Sequence, residues 1–196
     1  MRSFTPVLAA ALLLYAGSAF AQISVIGNRY ARECYIEAIA DGANSDPCDK
    51  AFELGMLVGR DLAATYVNRA VVRTNARNLE AALADLERAE SLRPELGEIY
   101  ASRGNVLFYQ NDFEEALAEY DRSIVAGMKK IHAAHYDRGL ALERLGRIEE
   151  AKEAYRRSIA LAPEFELANP ALDFWEQITG LELAVVLVDP SHRGPT

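Results

Sequence analysis

The side chains of this 196-residue chain that could carry chemistry are few and scattered. Cys34 and Cys48 are its two cysteines, and such a pair can form a disulfide, work as a redox couple or contribute to a metal site. They lack a Cys-x-x-Cys spacing and have no histidine near them, which argues against the second and third uses. His132 and His135 stand three residues apart with Asp137 and Glu143 following, a pattern that could hold a metal. His135, however, takes a place that Tyr66 and Tyr100 fill earlier in the chain, so packing already accounts for it. No glycine-rich phosphate loop, serine elbow or cysteine–histidine nucleophile pattern occurs. The expectation is a protein that is not an enzyme and carries no cofactor or metal.

The elements that would position a site begin after a segment expected to leave the fold. Met1 to Ala21 has Arg2, an apolar run from Val7 to Tyr15 and the ending Ala19-Phe20-Ala21. That is the pattern of a secretory signal peptide, here residues 1–21, cleaved after Ala21, so the remainder is expected to be periplasmic or secreted. The run is too short to span a bilayer, and no later segment approaches a spanning helix, so no stable membrane insertion is expected after cleavage. Bacterial origin is read from the alanine-rich signal and the lack of Asn-x-Ser/Thr acceptor sites. The formal charge is −8, and loss of Arg2 makes it more negative still. Such a surface repels phosphate backbones and anionic membranes, so nucleic acid is not an expected partner.

Three series of residues recur at intervals of 34 and then 35: Ala70, Gly104 and Gly139; Ala82, Ala116 and Ala151; Leu86, Tyr120 and Tyr155. A period of that length marks stacked helix-turn-helix units, here 63–96, 97–130 and 131–165. Small residues are expected where the two backbones of a unit approach, Gly104 facing Ala116 and Gly139 facing Ala151. Asn111-Asp112 and Gly146-Arg147 supply turns, and Asp112 with Glu115 reads as a capping box. Arg69, Arg103 and Arg138 recur beside the small residue. Each is expected to lay its stem along the core and to pair with a carboxylate of an adjacent helix.

This pattern resembles the tetratricopeptide repeat, departing from it at those arginines, where the family has leucine. The resemblance implies an all-α, right-handed solenoid of antiparallel helix pairs. It also implies a concave face, lined by the first helix of each pair, that accepts an extended or helical peptide. Carried over position by position, the groove comprises Val67, Val71, Thr74, Asn75, Ala101, Asn105, Phe108, Tyr109, Tyr136, Leu140 and Arg144. One family subtype clamps chaperone C-terminal carboxylates with clustered lysine, asparagine and arginine. Val67, Val71, Ser102, Ala133 and Asp137 stand at those sites here, so that specificity is not expected.

The register extends backwards. Cys48, Phe52 and Gly55 lie 34 residues before Ala82, Leu86 and Ala89, and Tyr30 and Cys34 lie 36 before Tyr66 and Ala70. Residues 22–62 therefore read as a degenerate helix pair with both cysteines at its close approach. In an exported chain a Cys34–Cys48 disulfide is then the simplest expectation. After Pro163, residues 166–180 read as a capping helix, with Asn169 as cap, Pro170 at its first position, Leu172, Trp175 and Ile178 at helical spacing, and Gly180 as its stop. Residues 181–196 form an apolar, strand-prone tail that should be covered, by the capping helix, by the groove or by another chain. The expected function is a scaffold of the bacterial periplasm that binds a protein or peptide partner. The alternative is an assembly subunit that forms a homo-oligomer through its tail.

Overall fold

The computed structural model describes residues 28–165 and 167–186, with side chains as far as residue 178. The signal peptide expected over 1–21 and the last part of the tail, 187–196, lie outside the described residues. Among the described residues there are nine helices and no strand: α1 (Arg29–Ile39), α2 (Asp46–Leu54), α3 (Gly59–Asn75), α4 (Leu79–Leu92), α5 (Gly97–Gln110), α6 (Phe113–Ala126), α7 (Ile131–Arg144), α8 (Ile148–Leu161) and α9 (Ala168–Val186). α1, α3, α5 and α7 each pack on the even-numbered helix that follows, α9 packs on α8, and α3 and α5 each touch the odd-numbered helices on both sides. No helix of the described residues is long and apolar enough to cross a membrane.

The turns repeat as faithfully as the core. Arg77, Asn111 and Gly146 each close a helix pair with a positive φ, at 62°, 68° and 73°. The next amide in each turn reaches back to the helix: Asn78 N–H donates to Arg73 O, Asp112 N–H to Leu107 O and Arg147 N–H to Leu142 O, at 2.8, 3.0 and 2.9 Å. Closure is thus made by the backbone, in the manner of a Schellman turn. The capping box expected at Asp112 and Glu115 does not form. Asp112 occupies the N-cap with ψ 69°, and its side chain makes no capping bond. An extended N-cap would aim the carboxylate at the first amides, whereas this tighter turn does not.

Gly104 and Gly139 serve a different contact from the one expected. A Cβ on Gly104 would lie 2.6 Å from Cε1 of Tyr120, and one on Gly139 would strike the ring of Tyr155. Each glycine therefore faces a tyrosine ring rather than an alanine, and the rings cannot retreat. Tyr155 is fully buried and its hydroxyl donates to Glu143 at 2.7 Å; the Tyr120 hydroxyl donates to Asn105 Oδ1 at 2.8 Å. The first repeat solves the same packing problem with Ala70 and Leu86, both fully buried in one cluster. Gly139→Ala is expected to lower stability by about 1–3 kcal/mol through overpacking, although alanine is the better helix former by about 1 kcal/mol. A urea titration reads the sign. Adding Tyr155→Leu should recover part of the loss by recreating the pairing of the first repeat, and a stabilising Gly139→Ala would show that ring and backbone are not in close contact.

The three recurring arginines join neighbouring pairs. Arg69 on α3 gives both oxygens of Asp85 on α4 a bond, at 2.9 and 2.7 Å, and reaches Asp49 on α2 at 2.7 Å. Its guanidinium lies 4.3 Å over the Phe52 ring. Arg103 on α5 bridges Glu90 on α4 and Glu119 on α6, and Arg138 on α7 holds Asp121 on α6. Leucine could fill this site but could not tie one helix pair to the next. Bidentate pairing of a buried Asp85 is worth more than an exposed ion pair.

Both ends depart from the simple repeat. Cys34 and Cys48 form a disulfide between α1 and α2, fully buried with Ala38, Val71 and Val72. The helix of the first clear repeat starts at Gly59, four residues before the expected boundary at 63, with Asp61 in its first turn where the helix dipole favours an acid. At the other end α9 starts at Ala168, so Asn169 and Pro170 lie inside the first turn, where a missing N–H leaves no bond unmade. Gly180 does not stop the helix, which runs on to Val186. A helical glycine costs only about 1 kcal/mol, and leucine, glutamate and alanine around it favour helix. Residues 181–186 therefore continue the capping helix instead of forming a separate tail. Trp175 and Leu172 pack, half-buried, against the core of the last repeats.

Candidate functional site

Of the odd-numbered helices, α5 touches both α3 and α7, and the residues expected to form the concave face all lie on these three. Seven of the eleven residues expected to line it are buried in the described structure. Val67 is fully buried in the core with Leu86 and Ile99. Ala101 packs with Met128 and Ala134, and Phe108 and Tyr136 belong to the core of the last repeats. Thr74 donates its hydroxyl to Ala70 O at 2.7 Å, and Asn105 accepts the Tyr120 bond already described. Val71 packs beside the disulfide.

The remaining four keep accessible surface. Asn75 is half-buried and donates to Gly42 O at 3.1 Å, fixing the turn between α1 and α2. Tyr109 is half-buried, with the Arg77 guanidinium 4.0 Å over its ring. Leu140 is half-buried against the core, and Arg144 is exposed, 4.7 Å over Phe113 and 5.6 Å over Phe108. Arg77 thus joins the face although it belongs to a turn. Its register with Asn111 and Gly146 marks the turn, but only the fold brings it over a ring 32 residues away.

Inside the face lies a row that the groove assignment passes over. Asn68, Ser102 and Asp137 recur at 34 and 35 residues, one position before the arginines, and are all buried. Ser102 lines a cleft of about 10 Å³ with Val71, Thr74 and Asn105. Its hydroxyl has no hydrogen-bond partner among the described residues. Asp137 is 5% exposed, and burial pushes its carboxyl up to about 7. The phenols of Tyr109, Tyr120, Tyr136 and Tyr155 are raised by burial first and by the Asp137 charge besides, Tyr136 to about 12. All four stay protonated at neutral pH. The period of the row was a readable signal of Asp137, but periodicity cannot tell a buried acid from a solvated one.

The ring of His132 lies 5.0 Å from that of Phe165, and burial lowers the basicity of both His132 and His135. Among the described residues no group of three His, Cys, Asp or Glu side chains comes together as a metal site would require.

The tetratricopeptide-repeat family model matches the chain twice, at residues 67–128 and 101–164. No curated protein matches it. Among solved structures, the first tetratricopeptide domain of Spaghetti (RPAP3), bound to the HSP90 peptide SRMEEVD, is similar at 20% identity and a TM-score of 0.57, over 64% of this chain and 99% of that one. The crystal structure of MamA is similar at 20% identity and a TM-score of 0.61, over 80% of this chain and 88% of that one. Likeness at that identity speaks for the fold alone, whereas the family matches together span half of the sequence. With its helix pairs, turns and glycine–tyrosine contacts all in one register, the chain belongs to the tetratricopeptide-repeat family.

Proposed function

We propose that this chain is a non-enzymatic interaction scaffold, exported to the bacterial periplasm, whose concave face holds a peptide segment of a protein partner. The observation that carries this reading is the form of the face. Tyr109, Leu140, Arg144 and Asn75 offer surface along three helices, while the cleft lined by Val71, Thr74, Ser102 and Asn105 on α3 and α5 holds only about 10 Å³. A site for a small molecule needs a few hundred Å³, so recognition here is by an extended surface. Export is supported by the leader pattern of residues 1–21 and by the Cys34–Cys48 disulfide, a bond suited to oxidising compartments. A protein of the same fold is recorded with the HSP90 peptide SRMEEVD, a ligand with three acidic residues. The face proposed here carries Asp137 on a chain of net charge −8, so its ligand is expected to have the opposite charge pattern.

Selection of a phage-displayed peptide library on the immobilised protein tests the assignment. Enriched peptides should bind a Tyr109→Ala, Arg144→Ala double variant about tenfold or more weakly than wild type. Arg144 is exposed and Tyr109 half-buried outside the core clusters, so the fold is expected to survive. Equal affinity for both proteins would remove the concave face from consideration.

A further inference from the structure

We propose that the concave face contains an acceptor for a basic side chain of the partner, anchored by the carboxylate of Asp137. The inference rests on the scaffold reading above and names the chemistry that the ligand must present. Asp137 has no hydrogen bond or ion pair among the described residues, although it is 95% buried by its 5% exposure. A buried acid in that condition is unusual, because an unpaired charge in a poorly solvated site is costly.

Elsewhere this chain shows what a satisfied buried acid looks like. Asp85, 3% exposed, takes a bidentate bond from Arg69 and another from Arg73 at 2.8 Å. Around Asp137 the arginines are committed to other partners. Arg138 holds Asp121, Arg103 holds Glu90 and Glu119, Arg77 covers Tyr109, and Arg144 covers Phe113.

The surroundings of Asp137 suit a cation. The titratable groups that feel the Asp137 charge are Tyr109 from α5, Tyr120 from α6, Tyr136 from α7 and Tyr155 from α8, while Glu143 acts on Tyr136 and Tyr155. Rings beside a carboxylate favour a guanidinium or ammonium group through their electron-rich faces. Tyr120 and Tyr155 donate their hydroxyls to Asn105 and Glu143, which leaves the Asp137 oxygens as acceptors. Ser102 Oγ is a fully enclosed atom without a partner, whereas Asp137 keeps 5% of its surface exposed. An anionic ligand would meet repulsion at the same point.

The test is a ¹³C-carboxyl NMR titration of Asp137 in the full chain, alone and with millimolar acetyl-arginine-amide. The midpoint, about 7 without ligand, should fall by about one pH unit, which corresponds to a tenfold preference of the probe for the ionised form. Acetyl-citrulline-amide, neutral and of the same shape, should leave it in place. An unmoved midpoint, or equal movement with both probes, overturns the anchor. The two readings fail separately. If library peptides lose affinity on Tyr109→Ala, Arg144→Ala but the midpoint does not respond to arginine, the face stands and the anchor falls. If the midpoint responds while the peptides bind the double variant normally, the acceptor stands and the peptide face falls.

Discussion

Asp137→Asn should make the folded chain more stable than wild type by up to about 4 kcal/mol above pH 7, and leave the two alike near pH 4, in urea titrations. Burial raises this carboxyl from 3.8 to about 7 in the folded chain, while the unfolded chain keeps the ordinary value. Between those limits the folded state holds a proton that the unfolded state has lost, so stability falls as pH rises through the window. Below it both states are protonated and no cost exists. Above it both are ionised and the full cost of a buried charge is present.

Asparagine keeps the shape and never ionises. The difference between the two chains therefore isolates Asp137 from His132 and His135, whose basicity is lowered by burial and whose contribution is lost in the opposite direction, as pH falls. Curves that run parallel for both proteins would show that the carboxyl is solvated or paired after all. A buried destabilising acid on the proposed binding face is what the proposed anchor requires, since function commonly opposes stability at binding sites.

Removing the disulfide should cost roughly 3 kcal/mol, since the bond closes a 15-residue loop in the unfolded chain. The loss is expected to be local. In a repeat stack each pair leans mainly on its neighbours, so Cys34→Ala, Cys48→Ala should loosen α1 and α2 while α5 to α8 hold. Hydrogen exchange by mass spectrometry reads this as faster exchange over Arg29–Ile39 and Asp46–Leu54 with unchanged protection of Gly97–Gln110. Uniform loss along the chain would mean that the stack unfolds as one unit. Both cysteines are fully buried, so a reductant should act slowly on the folded protein and quickly once urea opens the first pair.

The repeats and the cysteine staple were legible in the sequence because they are statements about register. A helix places residues three and four apart on one side, and a repeat places equivalent residues 34 or 35 apart, so Gly104 and Gly139 or Arg69 and Arg103 identify themselves by position. The partners of the arginines were legible as a class, a carboxylate on an adjacent helix, but not by residue. Asp85 and Glu119 each stand 16 residues after their arginine, but Asp121 stands 17 before Arg138, and only the packed stack shows where the register is kept and where another acid takes over. Asp112 and Gly180 misled for a related reason. Each is a strong local signal, overruled by a turn closed through the backbone and by a helix whose neighbours outweigh one glycine.

By itself the sequence determined the helix pairs, their order and the face on which the first helices lie. Tertiary structure alone decided how much of that face remains open, closing Val67, Phe108 and Tyr136 into the core and leaving Tyr109, Leu140 and Arg144 at the surface. It also decided that Asp137 lies in a nearly dry setting. Periodicity is fixed by the geometry of one helix, whereas burial and charge depend on distances between helices a whole repeat apart, which no local pattern encodes.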